Sequence, residues 1–351
     1  MKKVFASCLV ALLAAYIALP TNADAKAVVN YTPEFGYKTL GTGITMSYVE
    51  IGDKKGSPVV LIHGATDSYI SFSQVGAYLA AKGYRVYIPE LRGHGNTDKP
   101  LDGPYLIDIL ADDIDAWMNL INLDKAHFVG HSLGSFVAQE MAISFPARVK
   151  SLTLIGSSYK MADNPAACWL LFGDEDDEEE FPFPGLYELS NLLGMDGVMP
   201  GEVLEWWTYS DNHDPLFVEY TYNHAERLPL YSWINTFEAA LSVDNTDRLS
   251  AVTVPVLIIW GDEDDFFLLE EQIALQELLG SDKILFLQKA GGSHNVHWDG
   301  KMGEEIAGDI DRFLNGTQNG NNQGDNNNNQ GGNGNSQGGN GNSQGGNGNS
   351  Q

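Results

Sequence analysis

Gly130-His131-Ser132-Leu133-Gly134 follows an apolar run at residues 126–129 and precedes a helix-like stretch at residues 135–147. A serine on a strand-to-helix turn presents its hydroxyl at the tip of a tight bend, where it can act as a nucleophile. Side chains two residues to either side would collide with such a bend, which accounts for glycine at 130 and 134. The five-residue pattern alone is weak, because chance produces it in a fair share of chains. The strand before it and the helix after it supply the context the chemistry needs.

A serine hydroxyl is a poor nucleophile at neutral pH and needs a base, and an imidazole, with an ordinary pKa of about 6.5, is the usual one. Eight histidines are available. On a sheet with the nucleophile at this turn, the chain order is nucleophile, acid, histidine, with the histidine after the last strand. That leaves His294 and His297, in Gly291-Gly292-Ser293-His294-Asn295-Val296-His297-Trp298-Asp299. His294 comes first and is preferred; His297 reads as a structural imidazole beside Trp298. The base in turn needs an acceptor to fix its tautomer. Asp262, Glu263, Asp264 and Asp265 follow Trp260-Gly261, where that acceptor belongs, and spacing alone does not choose among them.

Several elements must position these groups. Apolar, β-rich runs lie at residues 59–62, 85–89, 126–129, 149–155, 254–260 and 283–288, most without strict alternation, as expected of parallel strands buried on both faces. Helical patterns intervene at residues 72–82, 106–121, 133–143, 268–279 and 303–313. Strand and helix in alternation predict an α/β parallel sheet. The alternation breaks after residue 157, where roughly ninety residues lack a strand pattern but carry many aromatics, among them Trp169, Trp206, Trp207, Trp233 and Phe237. This segment predicts a helical cap over the carboxyl ends of the strands, where ligands bind in open α/β sheets. Most of its aromatics are expected to pack the cap itself.

With Leu61-Ile62-His63-Gly64, the turn Leu91-Arg92-Gly93-His94-Gly95-Asn96-Thr97-Asp98-Lys99-Pro100 and Trp260-Gly261-x-x-Asp264, the chain resembles the α/β-hydrolase superfamily over nearly all of residues 40–314. The resemblance implies a mostly parallel, doubly wound sheet with an inserted helical cap. It selects Asp264 as the acid, with Asp262 as a turn former, and gives the oxyanion hole to the backbone N–H groups of Ala65 and Leu133. It makes His63 and His94 loop-fixing residues. Thr66, Asp67 and Ser68 fall within reach of a substrate. Glu90 and Ser293 depart from the common pattern, which often has aspartate and glycine there, but neither touches the proton-transfer chain. The expected function is a serine hydrolase acting on a small or medium apolar carboxylic ester without a cofactor. Lactone hydrolysis, carbon–carbon hydrolysis and perhydrolysis use the same triad. Ser132 stands where the haloalkane dehalogenase and epoxide hydrolase branches carry aspartate, which argues against both. A ligand-binding protein with an idle triad is the competing class.

The termini read differently. Lys2 and Lys3 precede an apolar run at residues 4–19 and then Ala23-Asp24-Ala25, the pattern of a secretory signal peptide over residues 1–25. The run is short for a membrane span, so no span is expected after cleavage. The expected organisation is then hydrolase core at residues 26–157 and 250–314, cap at 158–249, and tail at 315–351. The tail is almost pure Gly, Asn, Gln and Ser and ends in three copies of Gly-Gly-Asn-Gly-Asn-Ser-Gln starting at Gly331, Gly338 and Gly345. Such a sequence cannot form a core and predicts a flexible spacer or surface tether. The formal charge of −27 argues against nucleic acid or anionic membrane as partners and favours neutral or cationic small substrates. Cys168 is the one cysteine left beyond the leader and reads as a small apolar residue. The acidic run at residues 174–180 lacks the alternation and turn glycine of a calcium loop and reads as a solvated segment.

Overall fold

Residues 32–173, 183–208, 213, 215–298 and 300–322 are described in the structure, a computed structural model. The leader, most of the tail and the acidic run at 174–180 lie outside the described residues.

Eight strands form one sheet: β1 (Glu34–Thr39), β2 (Thr45–Gly52), β3 (Pro58–Ile62), β4 (Arg85–Pro89), β5 (Ala126–His131), β6 (Val149–Ile155), β7 (Val256–Gly261) and β8 (Ile284–Lys289), in the order β1-β2-β4-β3-β5-β6-β7-β8. The β1–β2 and β2–β4 pairs are antiparallel and the others parallel. Every residue of β5 and β7 is buried, as expected where helices cover both faces. β8, at the edge, is only partly buried. The α/β-hydrolase architecture read from the sequence is the one observed. The sequence reading omitted β1 and β2, whose half-exposed, antiparallel residues give a weaker pattern than a fully buried run.

Helices α1 (Ser73–Ala81), α2 (Ile107–Leu120) and α3 (Leu133–Ser144) lie within the first half of the core. Between β6 and β7 come α4 (Pro165–Phe172), α5 (Leu186–Leu193), α6 (Gly201–Thr208), α7 (Pro215–Ala225) and α8 (Leu230–Leu241), which form the cap. The core resumes with α9 (Leu269–Leu278) and α10 (Gly300–Asn322). α10 carries helix into the segment read as tail, because Ile306, Ile310 and Leu314 bury one stripe against α1 and winding continues past it to Asn322.

One core layer joins α1 and α10 to the sheet through Val75, Leu79, Leu257, Ile306 and Ile310. The other joins α2, α3 and the cap through Ile114, Trp117, Phe136, Val137, Leu230 and Trp233. Burying a large apolar side chain of this kind contributes about 1.5–3 kcal/mol. α3 is buried from Leu133 to Ala142 because it lies between sheet and cap, which explains why its sequence is apolar all round. Arg92 and Asp113 form a buried two-bond ion pair (2.7 and 2.8 Å) that ties the β4–α2 connection to α2.

Candidate active site

Ser132 follows the last residue of β5 directly, with φ 49° and ψ −121°. For a non-glycine residue this left-handed backbone costs on the order of 1–3 kcal/mol and persists only where the surroundings impose it. They do: Ser132 N–H donates to the Ile155 carbonyl (3.1 Å), and Ser135 returns both its N–H (2.8 Å) and its hydroxyl (2.6 Å) to the Ser132 carbonyl. The flanking glycines are required by space. A Cβ on Gly130 would lie 2.2 Å from the Gly134 carbonyl oxygen, and one on Gly134 would lie 2.2 Å from that of Ile62.

His294 lies on the loop after β8, with Nδ1 3.1 Å from both carboxylate oxygens of Asp264. Asp264, on the loop after β7, has a fully buried side chain, and its Oδ1 also accepts the Phe266 and Phe267 N–H groups at 3.0 Å. Burial by itself works against a charged ring at His294. The facing Asp264 carboxylate, with Asp265 and Asp67 beyond it, outweighs that and holds the His294 pKa above its ordinary value. Asp262 is exposed and ties the two loops together, its oxygens accepting the Gly291 N–H (2.6 Å) and the Gln288 side-chain amide (3.2 Å). The Glu263 N–H donates to the Gly292 carbonyl (2.9 Å) in the same junction, where a Cβ on Gly261 would lie 2.1 Å from that oxygen.

Ser132, His294, Ala65 and Leu133 all line one cavity of about 1020 Å³ at the carboxyl ends of the strands. Leu133 is the first residue of α3, where backbone N–H groups lack intrahelical partners. Ser132 Oγ and His294 share this wall without a hydrogen bond between them, a separation common before substrate tightens the contact. The cap contributes Trp169, Trp206, Trp207 and Phe237 to the lining. Trp233, which the cap also supplies, is fully buried and packs the cap itself.

The other histidines are structural. His63 Nδ1–H donates to the Gly64 carbonyl (2.8 Å) while Nε2 accepts the Leu91 N–H (3.0 Å), and burial drives its pKa down to about 3. His94 Nδ1–H donates to the Arg92 carbonyl (3.0 Å), and burial lowers its pKa to about 4. His297 is buried against Phe72, 3.1 Å from the Ser71 hydroxyl. Glu90 is fully buried and accepts the Asn96 N–H at 2.9 Å, so it fixes the following turn.

Two groups were not assigned roles by sequence. His131 packs between His294 and His297, with ring centroids 5.1 and 4.3 Å away, and burial keeps it neutral. Its place inside the glycine motif was the available signal. Asp67 forms part of the cavity wall, and its pKa is pushed up to about 7 by burial, against opposing hydrogen bonds from Ser71 and Gly64. Its spacing from His63-Gly64 put it within reach of substrate but did not reveal its burial.

The chain is 29% identical to Bifunctional epoxide hydrolase 2 of Sus scrofa over 147 residues, 42% of this chain but only 25% of that relative's length. It is 24% identical to 2-hydroxymuconate semialdehyde hydrolase of Pseudomonas sp. (strain CF600) over 272 residues, 76% of this chain and 89% of the relative. Among solved structures, a thermophilic esterase from Thermogutta terrifontis superposes with a TM-score of 0.65 at 21% identity, covering 81% of this chain and 99% of that one. Residues 57–301, most of the chain and all of the elements that carry the site, match the family described as alpha/beta hydrolase fold, and this protein belongs to that family.

Proposed function

We propose that this protein is a serine hydrolase that cleaves a carboxylic ester of a small or medium apolar substrate through an acyl-enzyme on Ser132. The observation that carries this reading is the opening of a strained serine turn and an Asp264-paired histidine onto one cavity. His294 Nε2 takes the Ser132 proton as Oγ bonds to the ester carbon, and the backbone N–H groups of Ala65 and Leu133 receive the negative oxygen. The imidazolium then gives that proton to the departing alkoxide as the carbon–oxygen bond breaks, releasing the alcohol. Water repeats the sequence on the acyl carbon, giving the acid and restoring the serine. Asp264 accepts from Nδ1–H throughout and keeps the tautomer that leaves Nε2 free.

Aromatic lining from the cap supports an apolar acyl or alcohol group. A fluorophosphonate probe followed by peptide mapping, with a screen of p-nitrophenyl esters of graded chain length beside several lactones, tests the reading. Labelling confined to Ser132 and lost in Ser132→Ala is expected, together with ester turnover. A wild-type protein inert to both would be a binding protein on this fold instead.

The carbon–carbon hydrolase among the relatives gives a second reading, in which the same triad acts on a carbon leaving group. Turnover of a vinylogous diketone with no turnover of esters would select it. We further propose export, on the basis of Lys2, Lys3, the apolar run behind them and Ala23-Asp24-Ala25. The N-terminal sequence of the secreted protein is expected to begin at Lys26.

A further inference from the structure

We propose that Trp207 is a positioning residue: its indole latches the cap to Thr66 and so sets the loop whose Ala65 N–H faces the reacting carbonyl. The inference rests on the serine hydrolase reading above.

Thr66 carries the starting observation. It is β-branched and 2% exposed, yet its φ is 63°, a region such residues rarely occupy. Backbone of this kind persists only where neighbouring contacts over-determine it, and it concentrates at working sites. The next two residues, Asp67 and Ser68, are also buried, and the Ser68 hydroxyl accepts the Ile70 N–H at 3.3 Å. Below Thr66 the loop is therefore fixed by the core. Above it, the contact comes from the cap: the Trp207 Nε1–H donates to Thr66 Oγ1 at 3.0 Å, across 141 residues of sequence.

Trp207 is itself held in a defined direction. It lies near the end of α6, and its ring meets those of Trp233 and Phe237 edge to face, each with centroids 5.7 Å away. Both partners lie on α8 and are buried. α8 is tied to the core in turn, the Tyr231 hydroxyl donating to the Lys99 carbonyl at 2.9 Å and the Asn235 amide to that of Leu101 at 3.2 Å. A donor on an aromatic cluster thus meets a strained residue one position from Ala65. Trp207 and Ala65 also line the same cavity as Ser132, so a substrate lies against the indole whose other contact fixes the loop. This arrangement makes the catalytic step, rather than binding alone, sensitive to the cap.

The test uses the full chain and four variants: Trp207→Phe, which removes the N–H and keeps a ring; Thr66→Val, which removes the hydroxyl and keeps the shape; Thr66→Ser, which keeps the hydroxyl; and the Trp207→Phe/Thr66→Val double variant. With p-nitrophenyl butyrate, each of the first two is expected to lose about tenfold in kcat with KM changed by less than about twofold. The double variant should be no slower than either single one, and Thr66→Ser should stay near wild type. Backbone hydrogen exchange in a peptide covering residues 63–68 should speed up in Trp207→Phe and Thr66→Val alike, which reads the latch without any turnover. Losses that multiply in the double variant, a change confined to KM, or unchanged exchange would each overturn the proposal. If wild type hydrolyses no ester and Ser132 takes no label, the serine hydrolase reading falls, and the exchange measurement still decides whether Trp207 holds the loop.

Discussion

Asp264 Oδ1 serves three donors at once, the His294 ring at 3.1 Å and the Phe266 and Phe267 N–H groups at 3.0 Å. That geometry makes Asp264→Asn informative. The backbone N–H groups select the amide oxygen for the Oδ1 position, which turns the NH₂ toward His294. Nδ1 must then accept, so the ring proton moves to Nε2, the atom that must be free to receive the Ser132 proton. A kcat loss of about 10⁴ with an intact fold is expected. Circular dichroism and p-nitrophenyl ester turnover check it, and a loss below about tenfold would remove Asp264 from the mechanism.

The same pair sets the acid limb of activity. Burial disfavours a charged His294, but the Asp264 carboxylate outweighs it and raises the pKa above about 6.5, the ordinary value. The base works when neutral, so kcat/KM should fall as pH drops through a value higher than that. In a pH profile of kcat/KM, a limb centred below pH 6 would contradict this electrostatic picture.

Much of this site could be read before any coordinates. Glycine at 130 and 134 is a steric demand written directly in the sequence, and the clashes found at both positions are its physical cause. The order of Ser132, Asp264 and His294 was legible because parallel strands bring loops distant in sequence to one edge. Asp264 was separated from its three acidic neighbours by family resemblance, and not by spacing. Its burial, beside an exposed Asp262, gives that choice a physical basis. β1 and β2 escaped because partly exposed strands lack a continuous apolar run. The Trp207–Thr66 contact was illegible for another reason: it joins two loops through packing that no local pattern encodes.

Acid should unfold this protein earlier than its carboxylates alone would. Burial lowers the pKa of His63 to about 3 and of His94 to about 4, and pushes those of His131 and His297 well down. A histidine whose folded pKa is depressed leaves the unfolded state holding more protons between that value and about 6.5. Stability from each such ring is complete above that range and is lost as pH falls through it, by about 1.4 kcal/mol per pH unit. Asp67, raised to about 7, and Glu90, also raised, work in the opposite direction over part of the window, because the folded state then holds their protons. The histidines dominate by number and by size of shift. Urea titrations should show stability falling steadily from pH 6.5 to 4, and a flat profile would mean that these rings do not stay neutral on folding.

The cavity rim should also discriminate by charge. Glu263, Asp265 and Glu270 on the β7–α9 connection and Asp163 opposite are exposed on the lining, and Lys160 is the one lysine or arginine among the described lining residues. The whole chain adds a field of the same sign. An ester whose acyl chain ends in a carboxylate must approach against both, while a neutral ester of equal length does not. At low salt the anionic ester should have kcat/KM lower by about tenfold or more. In about 1 M salt, where the Debye length is about 3 Å, the gap should narrow. Glu263→Gln/Asp265→Asn/Glu270→Gln should narrow it in the same way without slowing the neutral ester, because none of the three touches Ser132 or His294 by a hydrogen bond. A ratio that ignores both salt and the triple substitution would show that the rim charges play no part in choosing substrate, leaving the aromatic lining of the cap to make that choice.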